Sequence, residues 1–174
     1  VGGNGQLFHD AVVSGKTICG PVIASAIEKA LKMGESNACM KRIVAAPTAG
    51  ACGVVPAVYL TLQEQRQIDD ERMLEAMYIA SGVGGVIANR AFLAGAAGGC
   101  QAEIGSASSM AAAGAVYLAG GDTEAIIHAA AMAMKNLLGL ACDPVAGLVE
   151  VPCVKRNVVG AVNALSAADM ALAG

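Results

Sequence analysis

Three of the six cysteines stand in segments punctuated by glycine or proline: Cys100 in GGCQAEIGSAS, Cys142 in GLACDPVAGL and Cys153 in VEVPCVKRN. That placement suggests a metal-cluster site assembled from three loops. Three thiolates on an iron–sulfur cluster would leave one iron without a protein ligand, and an open iron acts as a Lewis acid on a hydroxylated substrate. Spacing alone argues weakly, because no C-x-x-C pair of a zinc or thioredoxin site is present. A single cysteine is more often a small buried hydrophobe, and Cys19, Cys39 and Cys52 are read that way. For the other three, Gly98, Gly99, Pro144 and Pro152 shift the balance by fixing each thiol on a rigid bend. Glycines beside ligands also leave amides free to bond cluster sulfides.

Groups suited to a small anionic substrate occur in two places. Thr48, Ala49 and the amides around Gly50 form an anion-receptive loop. Lys155-Arg156-Asn157 follows Cys153 directly; Arg156 could clamp a carboxylate through two N–H groups, or with Lys155 simply begin a solvated helix. Gln101, Glu103 and Asp143 adjoin the cysteines as supporting groups, with a solvent-facing Glu103 as the competing reading. His9 and His128 are the two histidines. His9 reads as a solvated terminal residue and His128, in IIHAAAM, as a satisfied helical one, so the catalytic base is not assigned.

The chain that must position these groups has 174 residues, of which 56% are hydrophobic, enough for one domain with a real core. A net charge of −3 with 11 Lys plus Arg, and 3% aromatics, gives neither the footprint nor the stacking platforms of a nucleic-acid binder. The expected partner is a small molecule. The cysteines lack a preceding signal peptide, so a reducing cytoplasm fits better than a disulfide framework. Mean hydropathy is +0.59, and Ile104 to Gly121 is uncharged over about the length of a membrane span. Its Ala, Gly and Ser content reads instead as a buried segment, with no membrane association. The ends, VGGNGQ and ALAG, read as those of a piece of a longer chain.

Helical periodicity dominates. Pro21 opens a helix carrying Val22, Ile23, Ala26, Ile27, Ala30 and Leu31 up to Gly34. Ser36 is expected to cap a second, through Cys39, Met40 and Ile43, ending near Pro47. A loop from Ala45 to Pro56 leads to a helix over Ala57 to Gln65. Asp69 and Asp70 start another, which SGVGG is expected to interrupt before a segment reaching Asn89. Gln101 to Ala119, Asp122 to Leu138 and Asn157 to Leu172 read as further helices. Strand-like alternation is almost absent, so the expectation is an all-α, compact, Ala/Gly-rich domain over residues 1–174 with cluster-binding loops, completed by a second subunit or by missing chain.

Five segments carry a resemblance: AAPTAGACGVVPAV from Ala45, GVIANR from Gly85, GAAGGCQAEIGSASSMAAAG from Gly95, NLLGLACDPVAGLVEVPCVKRN from Asn136 and NALSAADMALAG from Asn163. They resemble the α chain of the iron–sulfur-dependent L-serine dehydratases across most of the sequence after about Gly20. The resemblance implies that Cys100, Cys142 and Cys153 bind a [4Fe-4S] cluster and that L-serine is converted to pyruvate and ammonia; Thr48, Ala49, Gly50, Arg156 and Asn157, read above as anion-receptive, are the residues expected to serve substrate binding. It also implies a β chain or β domain as partner, from which the base is expected, and an oligomer. The family's α chains run longer at both ends, and relatives that fuse both parts carry a C-terminal cysteine able to cap the fourth iron; this segment alone is expected to be inactive. Position 108 is Ser where some relatives have Cys. Two other readings stand beside it: a different hydro-lyase or desulfidase with the same open-iron chemistry, and a non-enzymatic helical membrane module.

Overall fold

A computed structural model describes residues 2–148 and 150–174, and among them the regular structure is entirely helical. The helices are α1 (Asn4–Val13), α2 (Pro21–Ala38), α3 (Val54–Arg66), α4 (Asp70–Arg90), α5 (Gly95–Cys100), α6 (Ser106–Leu118), α7 (Thr123–Lys135) and α8 (Glu150–Ala173). A 3-10 turn at Ala49–Ala51 precedes α3, and a π-helical turn at Gln101–Gly105 joins α5 to α6. The all-α expectation holds.

α6 is the centre of the bundle. Its sequence, SASSMAAAGAVYL, is apolar or small on every side, so no face is better suited to water than another, and all of it except Tyr117 is buried. α3, α4, α7 and α8 pack around it, while α2 lies against α3 and α8. Small residues set the approach distances: Tyr59 lies against Gly114 of α6, its hydroxyl donating to the carbonyls of Ala76 (3.3 Å) and Met110 (3.2 Å). No single helix among the described residues is long and apolar enough to cross a membrane. The bent pair formed by α4 with α5–α6, at 82°, passes such a test only because it contains the buried α6.

Local signals set the starts of α2, α4 and α7. Pro21 occupies the first turn of α2. The Asp69 carboxylate accepts from Arg72 N at 2.8 Å, and Asp122 accepts from Ala125 N at 2.9 Å.

Four expectations are corrected. α2 does not stop at Gly34; it runs to Ala38, because Gly34 lets the α8 backbone approach so closely that an added Cβ would sit 3.1 Å from Val154 Cα. Ser36 caps nothing, since its hydroxyl donates back to Lys32 O at 2.9 Å inside α2, and residues 41–48 are non-helical. The glycines of SGVGG do not interrupt α4, where Gly84 is buried against Met110. α8 begins at Glu150 rather than Asn157, with Pro152 in its first turn, where a missing N–H breaks no intrahelical bond. α1 was not anticipated; its N-cap Gly3 offers no side chain, and Glu35 of α2 serves instead, accepting from Asn4 N (2.6 Å) and Gly5 N (3.1 Å).

Candidate functional site

The three cysteines of the glycine- and proline-punctuated segments line one cavity of about 630 Å³ between α2, the α5–π-turn segment and α8. Gly50, Glu103 and Asn157 line it too. Cys100 ends α5 and is 4% exposed, Cys142 lies exposed on the connection between α7 and α8, and Cys153 sits half-buried in the first turn of α8. The loop placement expected for Cys100 and Cys153 is therefore replaced by a helical one, and Cys142 alone of the three lies on a loop. Cys52 is buried as expected, whereas Cys19 and Cys39 are exposed, contrary to their reading as buried hydrophobes.

Backbone contacts hold the first two thiol segments together. Gly99 adopts φ 67°, a left-handed conformation that favours glycine, and packs against the next loop: an added Cβ would meet Leu140 O at 3.1 Å and Cys142 N at 3.3 Å. Gln101 N donates to Leu140 O at 2.9 Å directly beside this contact.

Arg156 ties in the third. One turn after Cys153 on α8, its Nη1 donates to Cys100 Sγ at 2.7 Å and to Ala141 O at 2.8 Å, and its Nη2 pairs with Asp143 at 3.2 Å. With 15% of its side chain exposed, this guanidinium is engaged within the chain rather than held free for a substrate carboxylate. Lys155 beside it is exposed.

Asn157 is 1% exposed, and its amide is fully committed. Nδ2 donates to Gly50 O (2.9 Å) and Cys153 O (2.8 Å), while Oδ1 accepts from Gly53 N (2.8 Å). It joins the 48–53 turn to α8, a bracing role, while also lining the cavity. Thr48 and Ala49 flank Gly50 without lining the cavity, and Asn37 Nδ2 holds Ala49 O at 3.0 Å. Thr48 Oγ1 is buried and makes no hydrogen bond.

Burial pushes the Cys153 thiol up to about 11, and the neighbouring Cys100, Glu103 and Cys142 push the same way against the opposing Arg156. These groups share one electrostatic environment. Among the described residues, no three His, Cys, Asp or Glu side chains gather tightly enough for a single metal ion. The histidines lie elsewhere: His9 pairs with Glu28 at 3.1 Å where α1 meets α2, and His128 lines a separate cleft with Asp122 near the end of α8. Gln101 Nε2 donates to Met134 O at 3.1 Å, away from the thiols. Of the two sequence readings of Glu103, a group supporting the cysteines or a solvent-facing one, the structure places it in the cavity; the π turn that brings it there has no sequence signal of its own.

Fold and site define an all-α protein whose chemistry concentrates in a cavity walled by three thiols and a carboxylate. The sequence model of the family described as serine dehydratase alpha chain matches residues 2–174. The chain is 53% identical over 173 residues to the probable L-serine dehydratase alpha chain of Bacillus subtilis, covering 99% of this chain and 58% of that protein. It is 54% identical over 153 residues to the corresponding protein of Latilactobacillus sakei (88% and 73% covered) and 45% over 174 residues to the L-serine dehydratase alpha chain of Peptoniphilus asaccharolyticus (100% and 60%). The chain belongs to the serine dehydratase alpha chain family. It spans well under two thirds of the Bacillus and Peptoniphilus proteins.

Proposed function

We propose that this chain is the catalytic part of an iron–sulfur-dependent L-serine dehydratase, a lyase that removes water from L-serine to give, after hydrolysis, pyruvate and ammonia. The observation that carries the reading is the convergence of Cys100, Cys142 and Cys153 on one cavity in a chain of this family. The donor set suits a cluster: three thiols line one cavity, and an arginine donates to one of the sulfurs. Cys100, Cys142 and Cys153 would hold a [4Fe-4S] cluster. Bound there, it would supply Lewis acidity toward the departing hydroxyl, a poor leaving group in water.

The chain's own residues orient and hold. The substrate carboxylate is received at Gly50, the residue of the Thr48–Gly50 turn that lines the cavity; Ala49 completes the backbone behind it, where the Thr48 hydroxyl is buried without a partner. Asn157 fixes that turn through Gly50 O, and Arg156 fixes the thiol-bearing walls, so both act by positioning. The base that takes the α proton comes from outside this segment, from a β chain or domain, since His9 and His128 lie away from the cavity. The outer face of α4, with Leu74, Met77, Tyr78 and Val86 all exposed, leaves apolar surface for such a partner or a further subunit. A reducing cytoplasm is the setting proposed for the chain, one in which exposed thiols such as Cys19 and Cys142 stay reduced.

The full-length protein with its partner, reconstituted anaerobically with iron and sulfide, is expected to form pyruvate from L-serine and to lose that activity in air. A brown, iron-loaded preparation that forms no pyruvate sinks the reading. So does unchanged iron uptake in Cys142→Ser and Cys153→Ser.

A further inference from the structure

Glu103 lies in the π turn, three residues after Cys100, and lines the same cavity as the three thiols. A π turn adds a residue to the helical turn and so changes which side chains share a face. The carboxylate is wedged between two glycines. An added Cβ at Gly50 would lie 2.7 Å from its Oε2, and one at Gly95 would lie 2.8 Å from the same oxygen. No described residue donates a hydrogen bond to it or pairs with it; packing alone fixes its position.

A carboxylate held against backbone in a cavity, with no cation of its own, is a site for a positive group. The location decides which cation. Gly50 belongs to the turn that receives the substrate carboxylate in the reading above, and Glu103 Oε2 touches that same glycine. An α-amino acid carries its carboxylate and its ammonium on one carbon, so a receptor for the first places the second within a few bonds of Glu103.

We propose that Glu103 receives the α-ammonium group of the amino-acid substrate and thereby selects amino acids over hydroxy acids without an amino group. The inference rests on the dehydratase reading for the placement of the substrate carboxylate. Gly50 and Gly95 are the residues that make room for it.

The test measures dissociation constants of L-serine and 3-hydroxypropanoate on the iron-loaded full-length protein with its partner, for the unchanged chain, Glu103→Gln and Glu103→Asp. The unchanged protein is expected to prefer L-serine. Glu103→Gln, which keeps shape and loses charge, is expected to weaken L-serine by about 10- to 100-fold while moving 3-hydroxypropanoate by less than about 2-fold. Glu103→Asp is expected to fall between. No preference in the unchanged protein, or equal effects on both ligands in Glu103→Gln, overturns the proposal. Loss of iron in Glu103→Gln also overturns it, because the carboxylate would then serve the metal. A retained preference for L-serine without pyruvate formation leaves the ammonium site standing and removes the dehydratase reading.

Discussion

Arg156 Nη1 lies 2.7 Å from Cys100 Sγ, so a residue of α8 holds a thiol that ends α5. The same nitrogen reaches Ala141 O, next to Cys142, and the guanidinium stands one turn from Cys153 on its own helix. One planar cation therefore spans all three thiol segments. Arg156→Lys keeps charge but cannot donate in two fixed directions. It is expected to cost about 1–2 kcal/mol of stability and to lower iron retained per chain, while Arg156→Gln loses more of both. Thermal melts and iron assays check this; full iron retention in both variants would show that the contact is incidental.

Gly99→Ala addresses the neighbouring contact. Alanine at φ 67°, ψ −167°, a region nearly confined to glycine, is strained by about 1–3 kcal/mol, and its Cβ would press on Leu140 O. The expected result is a lower melting temperature with slower iron uptake and unchanged helix content by circular dichroism.

Asn157→Ala removes a buried amide that satisfies Gly53 N, Gly50 O and Cys153 O at once. Leaving such groups unpaired costs about 1–3 kcal/mol. Denaturant melts measure the loss, and hydrogen exchange at Gly53 should rise with it.

Acidification should release α1. Burial alone would raise the Glu35 pKa, but hydrogen bonds from the Gly5 amide and from Asn4 outweigh it and hold the carboxyl below its ordinary value of 4.5. A lowered folded pKa means the unfolded chain binds protons first as pH falls. The stabilisation is therefore complete above the ordinary value and is lost as pH drops through the depressed one. Hydrogen exchange in α1 should report about 1 kcal/mol of protection at neutral pH that Glu35→Gln largely removes.

Gly114→Ala tests the core. A Cβ there would lie 1.8 Å from Tyr59 Oη, and overpacking of this kind costs about 1–3 kcal/mol. Adding Tyr59→Phe removes the nearest clashing atom but leaves Cζ at 2.5 Å, so it should restore only part of the loss.

The capping aspartates, Pro21 and the uniformly small α6 could be read from the sequence because each acts through its own neighbours. The misread boundaries share one cause. Gly34 and Gly84 stay helical because α8 and Met110 press against them, and those partners are distant in sequence. Pro152 was placed in a loop because nothing local distinguishes a first helical turn from a bend. The three thiols were identifiable as a set, while their convergence depends on how α8 packs against α2 and the π turn that follows α5. The orientation of Glu103 depends on a π turn that residue type does not encode.

Two of the thiols, Cys100 and Cys153, are carried on helices, while Cys142 lies on an exposed connection. The walls around them are held by Asn157, Gly34 and the small residues of α6, none of which needs a ligand in order to pack. In small zinc-binding modules, folding and metal capture are one event. If the three thiols hold a cluster as proposed, this packing would let the chain take shape before it is loaded, with the exposed Cys142 connection as the side open to entry.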